Sequence, residues 1–240
     1  MSGIAVRPAH APILDLARPA GRAFHAILGE TLALSVARGK GRNLRMRPTG
    51  EKISTRDRIL DIAQRLIQTR GYNAFSFNDL AKELGIRTAS IHYHFPTKAD
   101  LGVALLRRYR QRFREELAGI ASNGGDSVSH LAHFAALFER TFKTDSQLCL
   151  CGMLGAEVVS LPKQVAAEVE RFFSETERWL ANILTNGQRA RLIAFSGSPR
   201  TQARMLIALL EGAMVVARGM RHNAYFQGMA RNYLLKLKAA

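Results

Sequence analysis

Three helical patterns, one longer and two short, follow one another between residues 54 and 96, and a helix breaker ends each of them. The first begins with a capping signal at Ser54 and ends at Gly71. The second begins after Ser76 and ends before Gly85. The third is stopped by Pro96, since proline disfavours helical backbone in the residue before it. A supporting helix followed by two short helices across a tight glycine turn predicts a helix-turn-helix.

The third pattern, which starts at Arg87 or Thr88 and reaches Phe95, is the predicted reading helix. Its small hydroxyl side chains would let it lie deep in the major groove, while Tyr, His and Lys can bind phosphates at the groove edge. Thr97 caps a fourth helix, whose N-terminus is a favourable anion site. The predicted DNA-contacting residues are Ser76, Arg87, Thr88, Ala89, Ser90, His92, Tyr93, His94 and Lys98.

The charge of the chain agrees with a polyanionic partner. Its 240 residues carry 35 Lys and Arg against 19 Asp and Glu, a formal net charge of +16. The density of excess positive charge is highest in the first 110 residues. A chain this basic is expected to bind nucleic acid or an anionic membrane. No apolar run approaches the ~18 residues of a membrane span, so we expect no membrane partner.

The segment from Ile59 to Leu105 strongly resembles the DNA-binding domain of the TetR/AcrR family of transcriptional regulators. The resemblance rests on the leading amphipathic helix, then GYNAFSFNDLAKELGI, then ASIHYHFPTKADL. It implies a homodimer that binds a palindromic operator, with a divergent helical effector domain. It also implies repression that a small ligand relieves. Two positions depart from the family pattern: His92 stands where Tyr is usual, and Arg87 where a Ser or Thr cap is common.

The second half repeats apolar residues at helical spacing and nowhere alternates with period two, so the whole chain is predicted to be all-α. Expected helices cover residues 98–122, a stretch from Ser127, 147–160, a long one from Pro162 that Gly187 ends, one from Ser198 and 224–238. The C-terminal helices are predicted to form the dimer interface, with Gly212 and Ala213 allowing close approach. We divide the chain into a flexible basic extension (1–46), the helix-turn-helix domain (47–100) and a helical ligand-binding and dimerisation domain (101–240).

An effector pocket is expected between the helices of the last domain, although ordinary core packing is the alternative for each aromatic residue. Glu157 is singled out because a carboxylate inside an apolar helix usually has a partner or a function. The two cysteines could sense oxidants or electrophiles, but buried, inert thiols are the default expectation. The candidate lining residues are Phe113, Phe134, Phe138, Cys149, Cys151, Met153, Glu157, Phe172 and Trp179.

Other functional classes find less support in the sequence. An all-α small-molecule enzyme is the main alternative, but no HExxH, phosphate-binding loop or catalytic constellation is present, so no enzyme activity and no cofactor are predicted. A nonspecific DNA-packaging protein is a weaker alternative. His92 and His94 point to different faces of one helix, and no metal site is predicted there. Two cysteines in 240 residues favour a reducing, cytoplasmic location.

Overall fold

The computed structural model describes residues 54–237, and all the long regular elements in this range are helices. The extension predicted for residues 1–46 lies outside the described residues. We number the helices α1 (Thr55–Arg70), α2 (Phe77–Leu84), α3 (Thr88–His94), α4 (Lys98–Ser122), α5 (Ser127–Lys143), α6 (Leu150–Ala156), α7 (Lys163–Arg189), α8 (Pro199–Gly219) and α9 (Asn223–Leu237). The all-α prediction is confirmed.

Capping residues set the beginnings of the N-terminal helices where the sequence predicts them. At α2 and α4, reciprocal capping boxes join Ser76 to Asp79 and Thr97 to Asp100. Gly85 ends α2 with left-handed backbone, φ 67°, which glycine adopts without a Cβ penalty. Each box satisfies two backbone N–H groups that have no partner within the helix. The turn between α2 and α3 is thereby fixed by local chemistry.

Two expectations for the second half differ from the structure. The helix predicted over 147–160 is shorter: Cys149 is the N-cap of α6, and a 3-10 turn (Val158–Ser160) follows it. Gly187 lies two residues inside α7, which continues to Arg189. In both cases the apolar pattern located the helix but not its end. The predicted beginning of α5 at Ser127 is confirmed, and Asp126 caps this helix because its carboxylate accepts the Ser129 N–H.

The helix α4 joins the reading head, which we define as residues 54–97, to the rest of the protein. On one side the Arg108 guanidinium lies 2.8 Å from the Asp61 carboxylate of α1. On the other, Arg110 and Arg107 both bind the Glu168 carboxylate of α7, which is only 2 % exposed. A buried carboxylate needs such partners to offset its desolvation. Because α4 is one continuous helix that crosses the boundary at residue 100, a movement of the helical domain can be transmitted through it to the reading head.

Candidate DNA-reading surface and effector chamber

The helix α3 presents most of the predicted DNA-contacting side chains to solvent. Ala89, Ser90 and His92 are exposed, and Tyr93 is 85 % exposed. The opposite face carries Ile91, which is fully buried against the supporting helices. An exposed aromatic residue on a helix this well anchored contributes little to folding. The geometry therefore brings small side chains and one tyrosine together on a single free surface.

The beginning of α3 is held by a residue that sequence reasoning missed. The N-cap residue Arg87 makes no side-chain capping hydrogen bond. Instead, the Thr88 hydroxyl donates to Oδ1 of Asn78 on α2, at 3.0 Å. This contact fixes the first turn of α3 relative to α2. No local sequence signal links two positions ten residues apart in different helices.

The two histidines of α3 have separate environments. The His92 ring packs edge-on against Phe77, with centroids 4.9 Å apart, and its Nδ1 lies 3.1 Å from the Pro96 carbonyl oxygen. The half-buried His94 packs edge-on against Tyr93. Across residues 54–237, no three His, Cys, Asp or Glu side chains come together as a metal site. The contacts with Phe77 and Pro96 fix the orientation of the His92 ring, which lies on the exposed face of α3.

Among the predicted DNA contacts, Lys98 differs from the others because its ammonium binds groups within the protein. Its ammonium donates to the Phe75 carbonyl oxygen at 2.5 Å and lies over the rings of Tyr72 and Phe75, 4.7 and 4.3 Å from their centroids. Burial lowers the pKa of Lys98, an effect that the nearby Glu157 and Asp79 carboxylates oppose. The charge therefore links α4 to the loop after α1. Because this ammonium is engaged within the protein, we expect that Lys98 does not bind a phosphate, and the contact predicted from the sequence is put to the test below.

Replacing Lys98 with Ala separates these two roles. We expect the free energy of unfolding to fall by about 1–2 kcal/mol, because a hydrogen bond from a charged donor and two cation–π contacts are lost. The slope of log affinity for DNA against log salt should stay unchanged. Chemical denaturation and anisotropy titrations at several salt concentrations check both. A slope that falls by about one unit would return Lys98 to the phosphate interface.

Five of the predicted pocket residues form one aromatic cluster in the helical domain. Phe113 of α4 packs against Phe134, Phe138 and Phe172, and Phe134 stacks on Trp179 at 5.7 Å. A partly open groove of about 420 Å³, which we call the chamber, lies between α4 and α7. Phe113, Phe172 and Trp179 line it, whereas Phe134 and Phe138 pack behind them. This volume falls within the range of small-molecule sites.

A second, polar cluster connects this chamber to α6. The Tyr109 hydroxyl lies 3.8 Å from Sγ of Cys149, and the Glu211 carboxyl of α8 lies beside the same thiol. Both cysteines are buried free thiols, and burial raises the pKa of each well above its usual range. Burial also raises the pKa of Glu211 to about 7. Met153, on α6, is half-buried against the core. The two sulfur atoms thus lie in a site that disfavours the thiolate.

We expect both thiols to resist modification in the native state. Only the thiolate attacks a disulfide reagent, and here burial limits both its population and its access. Ellman's reagent should label the folded protein at least ~100-fold more slowly than the unfolded protein, which releases two equivalents. Stopped-flow absorbance with and without denaturant measures the two rates. Fast labelling of either cysteine in the folded protein would favour the redox-sensor interpretation instead.

The Glu211 carboxyl predicts a pH dependence of stability. Because its pKa rises from 4.5 to about 7 on folding, the folded state holds the extra proton between these pH values, and stability falls as pH increases through them. Glu211→Gln cannot ionise, so it should match the native protein near pH 5 and exceed its unfolding free energy near pH 8 by roughly 2–3 kcal/mol. Chemical denaturation at several pH values between 5 and 8 measures these unfolding free energies. Glu170→Gln, at an exposed position of α7, is the control. Parallel curves for the native protein and Glu211→Gln would contradict the assignment.

The structure places Glu157 away from the predicted pocket. At the end of α6, its carboxylate accepts the backbone N–H groups of Tyr72 and Asn73, at 2.9 and 3.0 Å, and the Asn73 side-chain amide at 2.7 Å. Gly71 precedes these amides with φ 100°, and a Cβ there would overlap the carboxylate. Glu157 therefore connects the helical domain to the loop after α1. The backbone N–H groups of this loop are the partners expected for a carboxylate in an apolar helix.

Two further contacts hold the end of α1, and sequence reasoning missed both. Arg218 of α8 donates to the Gln68 and Thr69 carbonyl oxygens, at 3.3 and 2.5 Å. The buried Gln68 side chain donates to the Leu148 carbonyl oxygen at 2.9 Å, and the Leu148 N–H returns a hydrogen bond to the Gln68 carbonyl oxygen. A cation is well placed at the carbonyl end of a helix. The residues before and after α6 are thus both attached to the reading head.

These features define a helix-turn-helix DNA-binding protein with a chambered helical domain, and comparisons with known proteins agree. Residues 59–105 match the model described as bacterial regulatory proteins, tetR family. A TetR-family transcriptional regulator from Agrobacterium tumefaciens superposes with a TM-score of 0.75 at 34 % identity, covering 77 % of this chain and 97 % of that one. A TetR transcriptional regulator from Legionella pneumophila gives 0.72 at 32 %, covering 79 % and 100 %.

A curated relative extends the similarity. The HTH-type transcriptional repressor NemR of Escherichia coli is 25 % identical over 169 residues, which span 68 % of this chain and 84 % of the relative. The chain belongs to the TetR family and is a DNA-binding transcriptional regulator. Within residues 54–237, no helix is both long and apolar enough to span a bilayer.

Proposed function

We propose that this regulator is a repressor which binds a palindromic operator as a homodimer and releases it when a small molecule occupies the helical domain. The observation that carries the proposal is the free face of α3, where Ala89, Ser90, His92 and Tyr93 are exposed on a helix anchored by Ile91 and Asn78. The relative NemR, named as a repressor, favours repression over activation. The cytoplasm is the compartment where such an operator is found.

In this proposal the N-terminal half of α3 reads base edges, and its surroundings hold phosphates. Thr88, Ala89 and Ser90 are short enough for α3 to approach the groove floor. Tyr93 and His92 lie further along the same exposed surface, where they would contact the phosphate backbone. Ser76, at the exposed beginning of α2, is a further phosphate contact. Of the three remaining predicted contacts, Arg87 and His94 are kept, and Lys98 is left out because its ammonium binds the Phe75 carbonyl oxygen.

The dimer interface is proposed on α8, supported by a stripe of apolar and small residues that a single protomer leaves exposed. A contiguous apolar patch of this kind marks an interaction surface. Gly212 has open space around it, whereas Ala213 is 4 % exposed and packs in the protomer's own core, so the sequence-based expectation for Ala213 is wrong. The stripe consists of Met205, Ala208, Gly212, Val215, Val216, Gly219 and Met220.

Release of DNA requires that the effector binds better to the state that cannot span two half-sites. A ~100-fold loss of operator affinity needs about 2.7 kcal/mol of coupling free energy. The contacts at both ends of α6, through Leu148 and Glu157, offer a route for this coupling. Occupation of the aromatic chamber would act on α4 and α7, which border it, and α7 packs against α6. Members of this family are generally not enzymes, and we propose no catalytic role for this chain.

A footprint of the purified protein on the DNA upstream of its own and neighbouring genes tests the proposal. We expect a protected site with two-fold symmetry and half-sites about 34 Å apart, at salt concentrations where random DNA is unprotected. Sedimentation at the same concentrations should give a dimer, and Val215→Glu should give a monomer that no longer protects the site. Uniform protection of all DNA would support the packaging alternative, and an asymmetric site bound by a monomer would overturn the proposal.

A further inference from the structure

We infer that the chamber between α4 and α7 takes an amphipathic organic anion, an aromatic or similarly flat apolar body that carries a carboxylate. The inference rests on the proposed function, because it names the chemical class of the effector. It comes from the distribution of charge around this chamber of about 420 Å³. The floor of the chamber and its rim differ sharply in character.

The floor is aromatic and suits a flat apolar group. Phe172 is 1 % exposed, and the half-buried rings of Phe113 and Trp179 flank it. Phe113 and Phe172 lie 4.9 Å apart with tilted planes. Aromatic rings pack favourably in offset or edge-to-face arrangements at such distances. A planar ligand entering here would exchange water for aromatic contacts on more than one side.

The rim carries positive charge that the protein itself does not neutralise. Among the described residues, neither Arg114 nor Arg178 has a carboxylate partner within ion-pair distance: Arg114 donates to the Gln111 side-chain oxygen, and Arg178 has no side-chain partner. A guanidinium binds carboxylates through two parallel hydrogen bonds, which favours an organic acid. The rim is therefore complementary to an anion.

The same rim disfavours a cationic ligand. Its one carboxylate, Glu175, is already engaged, because its Oε2 lies 3.2 Å from Nε of Arg110. A cation would lie near three arginines with no free carboxylate to compensate. A neutral ligand would gain the aromatic contacts, but the guanidinium groups of Arg114 and Arg178 would gain no carboxylate partner. The order expected for ligands of equal shape is thus anion, then neutral, then cation.

Three probes of matched shape test this order: biphenylacetate, its neutral amide and the cationic biphenylethylamine. Trp179 is the only tryptophan of the chain, so its emission reports occupation of the chamber in the full-length protein. Calorimetry gives the affinities independently. We expect the anion to bind about tenfold more tightly than the amide, and the amine least. Failure of the anion to bind at its solubility limit, or equal binding of the amide, would overturn the inference.

Charge variants assign the preference to the rim. Arg114→Gln with Arg178→Gln should abolish the preference for the anion over the amide while leaving the binding of the amide unchanged. Arg189→Gln removes one positive charge from an exposed position near the end of α7, away from the rim, and should keep the tenfold preference. A preference that survives the double substitution, or disappears in the control, would contradict the assignment of Arg114 and Arg178.

The same probes separate this inference from the proposed function. The anion is titrated first against free protein and then against the protein–operator complex. Binding without release of DNA would keep the anion site but reject it as the effector site. A protein that binds the anion yet recognises no operator would reject the proposed function alone. Release of DNA by the amine but not by the anion would overturn the inference and leave the ligand-responsive repressor intact.

Discussion

Replacing Tyr93 with Ala should lower affinity for operator and random DNA alike by about 100-fold, while leaving the fold unchanged. The side chain is 85 % exposed, and within residues 54–237 its ring contacts only that of His94, so its removal takes little from folding. A hydroxyl that donates to a phosphate contributes about 1.5 kcal/mol, and the proposed dimer has two such contacts. Since every 1.4 kcal/mol is tenfold in affinity, the two together account for the expected loss.

Anisotropy titrations of labelled duplexes at one fixed salt concentration measure this effect. Tyr93→Phe identifies the hydroxyl as the source, and most of the loss should persist in that variant. Ser90→Ala is the matched comparison on the same face: it should weaken operator binding and leave random DNA nearly unaffected, because base contacts specify and phosphate contacts position. If Tyr93→Ala weakens operator binding only, Tyr93 reads bases rather than phosphates.

Most of the reading head could be predicted from sequence because its geometry is determined locally. The capping boxes of α2 and α4 and the glycine after α2 are signals read within four residues, and the ends of these helices agree with them. The free face of α3 followed from the apolar positions on its opposite side. The contact between Thr88 and Asn78 could not be predicted, since it depends on how α2 and α3 cross.

The helical domain was less predictable because its function depends on contacts between distant segments. An apolar helical pattern continues through residues 147–160, yet the chain leaves the helix after Ala156 and Glu157 reaches the loop after α1. The pattern carries no information about that partner. Glu211 was within reach of sequence reasoning: it is a carboxylate among apolar positions of α8, the argument applied to Glu157. The arginines that face the chamber are indistinguishable in sequence from ordinary surface charges.

The contact between Glu157 and the loop after α1 gives the second large expected effect. Glu157→Ala removes a charged acceptor from two backbone N–H groups and the Asn73 amide, so the free energy of unfolding should fall by about 2–3 kcal/mol. Glu157→Gln keeps one acceptor oxygen and should lose about half as much. Glu170→Ala is the control. It lies at an exposed position of α7 and should change the free energy of unfolding by less than ~0.5 kcal/mol.

Hydrogen exchange shows whether this loss is local to the junction between the domains. The amides of Tyr72 and Asn73 should exchange faster in Glu157→Ala by a factor larger than the change in global stability explains, because they lose their acceptor. The amide of Leu148, which binds the Gln68 carbonyl oxygen, should keep its protection relative to the global value. Uniform acceleration of all three amides would mean that the domains separate as a unit when one contact is lost. Faster exchange confined to Tyr72 and Asn73 would make the attachments at the two ends of α6 independent, so that each could be weakened separately by an effector.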